Sequence, residues 1–148
     1  MELKIPPPII FLLVAAAMWL IFSLGLVATI AVPSMIALVV FLLGVAIGIV
    51  ATMSFSKAQT TIDPRNPQET SQLVDTGIFG LSRNPMYLSL TLELCGVVLY
   101  LGDPLNIVLL LGFVVYINKF QIIPEERALK QKFPQAFAAY QAKVRRWI

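Results

Sequence analysis

Two carboxylates, Glu125 and Glu126, stand where one apolar run ends, and Arg83-Asn84-Pro85-Met86-Tyr87 stands where another begins. Ionised carboxylates accept hydrogen bonds and can take up a proton; a phenol such as that of Tyr87 donates. The amide of Asn84 donates and accepts but takes no proton near neutrality. The chain has no histidine and a single cysteine, Cys95, so the commonest general base and metal ligand is missing. No metal, zinc or haem site is expected. With so few basic groups, Glu125 and Glu126 are the natural proton acceptors. This inventory would be awkward for a hydrolase. Each residue also has a plainer role: the glutamates as helix-end charges, Arg83 as a topology anchor, Tyr87 as an interfacial aromatic, and Asn84-Pro85 as a helix start.

These residues must be positioned by elements that live in lipid. Of 148 residues, 58% are hydrophobic and 13% charged, against roughly 45–50% and about 25% in soluble domains. A chain this short cannot bury so much apolar surface in water. The formal net charge of +3 comes largely from basic residues near the C-terminal end, and no soluble basic face exists to hold nucleic acid. One cysteine rules out an internal disulfide. The length suits one domain spanning 1–148.

Apolar runs cover about 9–32, 34–55, 86–101 and 104–123, and about 20 residues cross a bilayer core. The third is short. The first is too long for a signal peptide core and is expected to be a retained span. Pro33 separates the first pair and Gly102-Asp103-Pro104 the second, so an all-α bundle of four transmembrane helices in two antiparallel hairpins is expected. All eleven Lys and Arg fall in the N-terminus, the 56–85 loop and the tail, counting Lys119 at a boundary. The positive-inside rule then puts both termini and that loop in the cytoplasm, in a prokaryotic inner (plasma) membrane. The 56–85 loop is too long for a plain connector, and its Gly77 and Gly80 permit sharp turns. In the tail at 124–148, Leu129, Phe133, Phe137, Tyr140, Val144 and Trp147 recur at spacings of three and four, an amphipathic stripe that Pro134 interrupts. Such a basic helix can rest on an anionic leaflet or fold over the loop as a lid. Glu93, about two turns into the third run, is costly in lipid and marks a functional position by default. Asn118, Gln121 and Glu125 share a helical face.

Together these residues carry a resemblance. Arg83-Asn84-Pro85-Met86-Tyr87 resembles the Arg-His-Pro-x-Tyr motif of the isoprenylcysteine carboxyl methyltransferase and phospholipid methyltransferase superfamily. Leu73-Val74-x-x-Gly77-x-Phe79 is similar to its Leu-Val-x-x-Gly-x-Tyr. Glu125-Glu126-x-x-Leu129-x-x-x-Phe133-x-x-x-Phe137-x-x-Tyr140 is close to its Glu-Glu-x-x-Leu-x-x-x-Phe-Gly-x-x-Tyr-x-x-Tyr, and Val144-Arg145-Arg146-Trp147 fits bacterial members. The match runs from about 59 to 148. Asn84 stands for histidine, Phe79 for tyrosine and Pro134 for glycine.

The resemblance implies an integral membrane methyltransferase that uses S-adenosylmethionine, with S-adenosylhomocysteine as product, in a cytoplasmic pocket made by the loop and the tail. The cofactor contacts it implies are Ser71, Gln72, Leu73, Val74, Phe79, Asn84, Pro85, Met86, Tyr87 and Glu125. The catalytic set is Glu125, Glu126, Tyr87 and Asn84, with Asn84 in a positioning role. Gln121, Asn118 and Glu93 are the expected substrate readers. The implied acceptor is a lipid or lipophilic small molecule, such as a prenylcysteine carboxylate or a lipid amine, amid membrane lipids. Two rivals stay open: a non-catalytic helper or lipid-binding protein on the same scaffold, and a glutathione- or eicosanoid-type membrane transferase. The second relies on intramembrane arginines to hold glutathione, and the apolar runs here contain none.

Overall fold

Proline runs and glycine breaks set the helix limits. In the computed structural model, which describes residues 2–3, 5–57 and 72–148, all regular structure among the described residues is helical. Helix α1 spans Pro7–Leu24, α2 Ser34–Lys57, α3 Pro85–Leu101 and α4 Asn106–Ile117. A π-helical turn, Asn118–Ile122, carries α4 directly into α5, Ile123–Lys132, and α6 spans Pro134–Lys143. Prolines sit in the first turns of α1, α3, α5 and α6, where a missing N–H costs nothing. Pro134 divides the tail: Phe133 before it leaves helical geometry, at φ −127° and ψ 58°, as a residue preceding proline tends to.

Three helical stretches, Pro7–Leu24, Ser34–Lys57 and Asn106–Lys132, are long and apolar enough to cross a membrane, and Pro85–Leu101 is apolar but shorter. Their outer faces are exposed leucine, isoleucine and valine, with Leu12, Leu13, Val39, Leu42, Val108 and Leu111 each at least half exposed. In water such faces would drive association; in lipid they are at home.

The first helix ends earlier than the apolar pattern predicts, at Leu24 rather than near 32, because Gly25 adopts φ 61°. The following stretch runs extended across the end of the bundle. There the Ile30 amide donates to the Gly102 carbonyl at 2.8 Å. Gly102, at φ 64°, accepts this crossing only because it has no side chain: a Cβ would strike the Ile30 carbonyl oxygen. The crossing carries α2 over the α3–α4 turn to the far side of α3. So the expected first hairpin is open. Helix α1 packs on α3 and α4, whereas α2 packs along α3. The second hairpin, α3 with α4, is closed.

The α2–α3 seam is made of small residues. A Cβ on Gly44 would lie 2.8 Å from the Ser89 carbonyl oxygen, and one on Gly96 would lie 2.7 Å from the Phe41 Cβ. Gly44-x-x-x-Gly48 is the spacing that lets two lipid-embedded helices bring their backbones together. Two polar side chains tie α1 to α4: the Asn106 amide donates to the Met18 carbonyl at 3.2 Å, and the Gln121 amide to the Ile5 carbonyl at 2.9 Å. Helices α1 and α3 thus begin, and α2 and α4 end, at one end of the bundle. The 72–84 loop, α5, α6 and the closing segment at 144–148 gather at that same end.

Candidate functional site

Two stretches distant in sequence meet at this end. Residues 72–87 supply one wall. Gly77, at φ 62°, starts a short 3-10 turn, Gly77–Gly80, that presents Phe79 inward. Its ring meets Phe55 of α2 edge-on, centroids 5.0 Å apart. The tail supplies the other wall. Its stripe Leu129, Phe133, Phe137, Tyr140 and Val144 packs on Phe79, Leu73, Val74, Ile78 and Met86, so the tail is folded back over the loop. The Tyr140 hydroxyl donates to the Phe79 carbonyl at 2.7 Å and fixes the two walls to each other. Burial raises the Tyr140 phenol above its ordinary range, so it remains a donor.

Between the walls lies a cavity of about 410 Å³. The loop and the start of α3 line it with Gln72, Leu73, Val74, Phe79, Asn84, Pro85, Met86 and Tyr87. From α5 and α6 come Glu125, Glu126, Leu129, Phe137 and Tyr140. Every cofactor contact expected from the sequence therefore borders one space, apart from Ser71, which lies outside the described residues. Pro7 and Pro8 from α1 and Gly48, Thr52 and Phe55 from α2 also line it, and no motif pointed to them. The readable signal was the Gly44–Gly48 pair, since a helix that must touch its neighbour's backbone carries glycine on the inner face.

The polar groups fall into two sets. In the first, the Tyr87 hydroxyl donates to the Glu125 Oε1 in a short hydrogen bond. Glu125 follows the apolar run of α4 and keeps some contact with the cavity, yet protein surrounds it on nearly every side. That burial, together with repulsion from Glu126, overrides the Tyr87 hydrogen bond and pushes its carboxyl up to about 8. Burial favours the neutral form of such a carboxyl, and a neighbouring cation would favour its charged form.

In the second set, Glu126 faces two guanidinium groups. Arg83 Nη2 lies 2.8 Å from its Oε1, and Arg146 Nη2 lies 2.6 Å from its Oε2. Burial raises the Glu126 carboxyl, but the hydrogen bonds from Arg146 and Arg83 outweigh it, and the carboxyl is held below the usual range. The motif arginine and asparagine also grip the closing segment. Arg83 Nη1 donates to the Val144 carbonyl at 2.5 Å, and the Asn84 amide donates to the Arg146 carbonyl at 3.0 Å. The Asn84 side chain is thus committed to a backbone carbonyl.

The expected substrate readers lie elsewhere. Gln121 is fully buried and turned toward the N-terminus, and Asn118 accepts from Trp147 Nε1 at 3.3 Å; neither borders the cavity. Gln121 is held there by its bond to the Ile5 carbonyl, and the wider winding of the π turn carries Asn118 off the face of Glu125. Glu93 lies in a neighbouring recess with Val45, Gly48, Ile49, Thr52 and Met53.

The model of the phospholipid methyltransferase family matches residues 32–136, from the start of α2 into α6. An uncharacterized protein of Haemophilus influenzae is 44% identical over 63 residues, 43% of this chain and the whole of that protein. No solved structure matches. An apolar helical bundle whose loop and tail close one end is what a membrane-embedded transferase requires, and the chain belongs to the phospholipid methyltransferase family, a family of membrane methyltransferases.

Proposed function

We propose that the protein transfers a methyl group from S-adenosylmethionine to a lipophilic acceptor, such as a lipid amine or a prenylcysteine carboxylate, at the cytoplasmic face of a membrane. One observation carries this reading: a cavity built by both motif stretches, with apolar walls and one enclosed carboxyl, Glu125, held by Tyr87. Its volume lies within the roughly 300–1,000 Å³ of small-molecule sites. The cofactor fits its donor set. Phe55, Phe79, Leu73 and Val74 offer apolar surface for a nucleobase, and Glu125 offers negative charge to cationic groups. The basic residues support the cytoplasmic assignment: Lys57, Arg83, Lys119, Arg127 and Arg146 all belong to the end of the bundle where the cavity lies.

When bound, the cofactor supplies an activated methyl group, so the chain's own task is alignment and exclusion of water. Aligned reactants can gain about 7–11 kcal/mol in favourable cases. Phe79, Phe137 and Leu129 close the cavity against water. Tyr87 fixes the Glu125 carboxyl in place, and the Arg83–Glu126–Arg146 network holds the tail wall. Where the acceptor is an amine or hydroxyl, Glu125, ionised beside a cation, takes its proton; a carboxylate acceptor needs none. Incubating the purified protein with methyl-tritiated S-adenosylmethionine and total membrane lipid tests the reading. Label should enter the lipid phase with wild type and not with Glu125→Ala. Lipid left unlabelled by wild type would overturn it.

A further inference from the structure

Among the described residues, Glu93 is the one carboxylate set within the apolar layer along the α2–α3 seam, and the surrounding geometry gives it a use. On α3, Met86, Ser89 and Leu90 line the main cavity, and Glu93 continues their face one turn deeper. On α2, Phe55, Thr52 and Gly48 line the cavity, and Thr52, Gly48 and Val45 line the recess that holds Glu93. The cavity and the recess therefore share Gly48 and Thr52, and together they make one groove along the flank of the α2–α3 seam.

Two glycines let α3 lie close against α2 along that groove. A Cβ on Gly48 would lie 3.0 Å from Ser89 Oγ, and one on Gly44 would lie 2.9 Å from Glu93 Cγ. The hydroxyls within the groove are spent on their own helices: Thr52 donates to the Gly48 carbonyl at 2.9 Å and Ser89 to the Met86 carbonyl at 2.8 Å. Glu93 alone keeps its acceptor capacity, since no described residue pairs with it. A carboxyl in lipid without a partner is expensive and persists where something else satisfies it.

We propose that Glu93 is a specificity-determining residue that accepts a hydrogen bond from a second, non-reacting hydroxyl or amine on the acceptor. The acceptor then carries its reacting atom at Tyr87–Glu125 and a donor on its apolar part about 9 Å deeper, six residues along α3. This rests on the reading of the main cavity as the methyl-transfer site. It excludes acceptors whose chain is plain hydrocarbon throughout as the preferred substrates.

The test uses the full chain in detergent micelles and a matched pair of probes, octadecan-1-ol and an octadecanediol whose second hydroxyl lies at that separation. Calorimetric titration of wild type should show the diol binding roughly fivefold tighter, the worth of one hydrogen bond. Glu93→Leu should abolish the preference and Glu93→Gln keep part of it, because the amide oxygen still accepts. Affinity for S-adenosylhomocysteine should be the same in all three proteins. Equal binding of the two probes by wild type would overturn the proposal, as would a preference surviving in Glu93→Leu. A fall in S-adenosylhomocysteine affinity in Glu93→Leu would also overturn it, by making Glu93 a packing strut. The probe titrations contain no cofactor or product. A wild type that ignores S-adenosylhomocysteine yet prefers the diol would therefore refute the methyl-transfer reading and not the role of Glu93 in recognition.

Discussion

Tyr87 in the first turn of α3 donates its hydroxyl hydrogen to Glu125 in the first turn of α5, across 38 residues of chain. This bond is one of several that join the two stretches walling the cavity. It also holds a carboxyl that would otherwise be free to turn away from any ligand.

Removing the donor tests its worth. Tyr87→Phe keeps the ring and its burial but leaves Glu125 unsupported, and a hydrogen bond to a charged group contributes about 1.5–3 kcal/mol. Affinity for S-adenosylhomocysteine should fall by roughly tenfold or more by calorimetry, while the melting temperature moves little. An unchanged affinity would mean that the bond does not serve ligand binding.

The raised carboxyl of Glu125 gives a pH dependence with a definite sign. Below about 8 the empty site holds it protonated. A cationic ligand that prefers the carboxylate must then displace that proton. Affinity for S-adenosylmethionine should therefore rise with pH, at most about tenfold per unit below that value, and level off above it. Titrations from acid to alkaline pH measure this, and Glu125→Gln should flatten the profile.

Glu126 is the bridge between two guanidinium groups, with its side chain 12% and that of Arg83 11% exposed. Glu126→Ala leaves two like charges facing one another in a half-buried place. Breaking a buried pair costs about 3–5 kcal/mol; the partly solvated Arg146, at 37% exposure, points to the lower end. Thermal unfolding in detergent should show a clear loss, and Arg83→Ala a smaller one, because Glu126 then keeps Arg146.

Asn84 binds backbone, so its loss should read as stability. Asn84→Ala removes the bond to the Arg146 carbonyl, worth about 1 kcal/mol, and should lower the melting temperature with little change in the pH profile of transfer. A profile that changes shape would give Asn84 a part in proton movement.

At the α2–α3 seam, Gly96→Ala sets a Cβ against Phe41 Cβ at 2.7 Å and the Ala37 carbonyl oxygen at 3.0 Å. Overpacking of this kind costs about 1–3 kcal/mol. Gly112→Ala is the control, since nothing lies within 4 Å of its Cβ position. Comparing the two melting curves checks the seam.

Much of the fold could be read before any coordinates, because lipid imposes simple rules: long apolar runs, proline at helix starts, basic residues at one end. The cavity residues of the loop and the tail were legible through motif order. Three things were not. The Gly25 stop and the Ile30–Gly102 crossing, which open the first hairpin, depend on a contact between residues 72 apart. The π turn at Asn118–Ile122 breaks the regular spacing that would put Asn118 on the face of Glu125. The partner of Asn84, a carbonyl 62 residues on, leaves no trace in side-chain pattern, because any residue at 146 presents one.

The most direct measurement is a calorimetric titration of the purified protein with S-adenosylhomocysteine, repeated on Tyr87→Ala and Glu125→Ala. The account predicts one-to-one binding by wild type and severalfold weaker binding by both folded variants. Absence of binding by wild type, or equal affinity in all three, would contradict it.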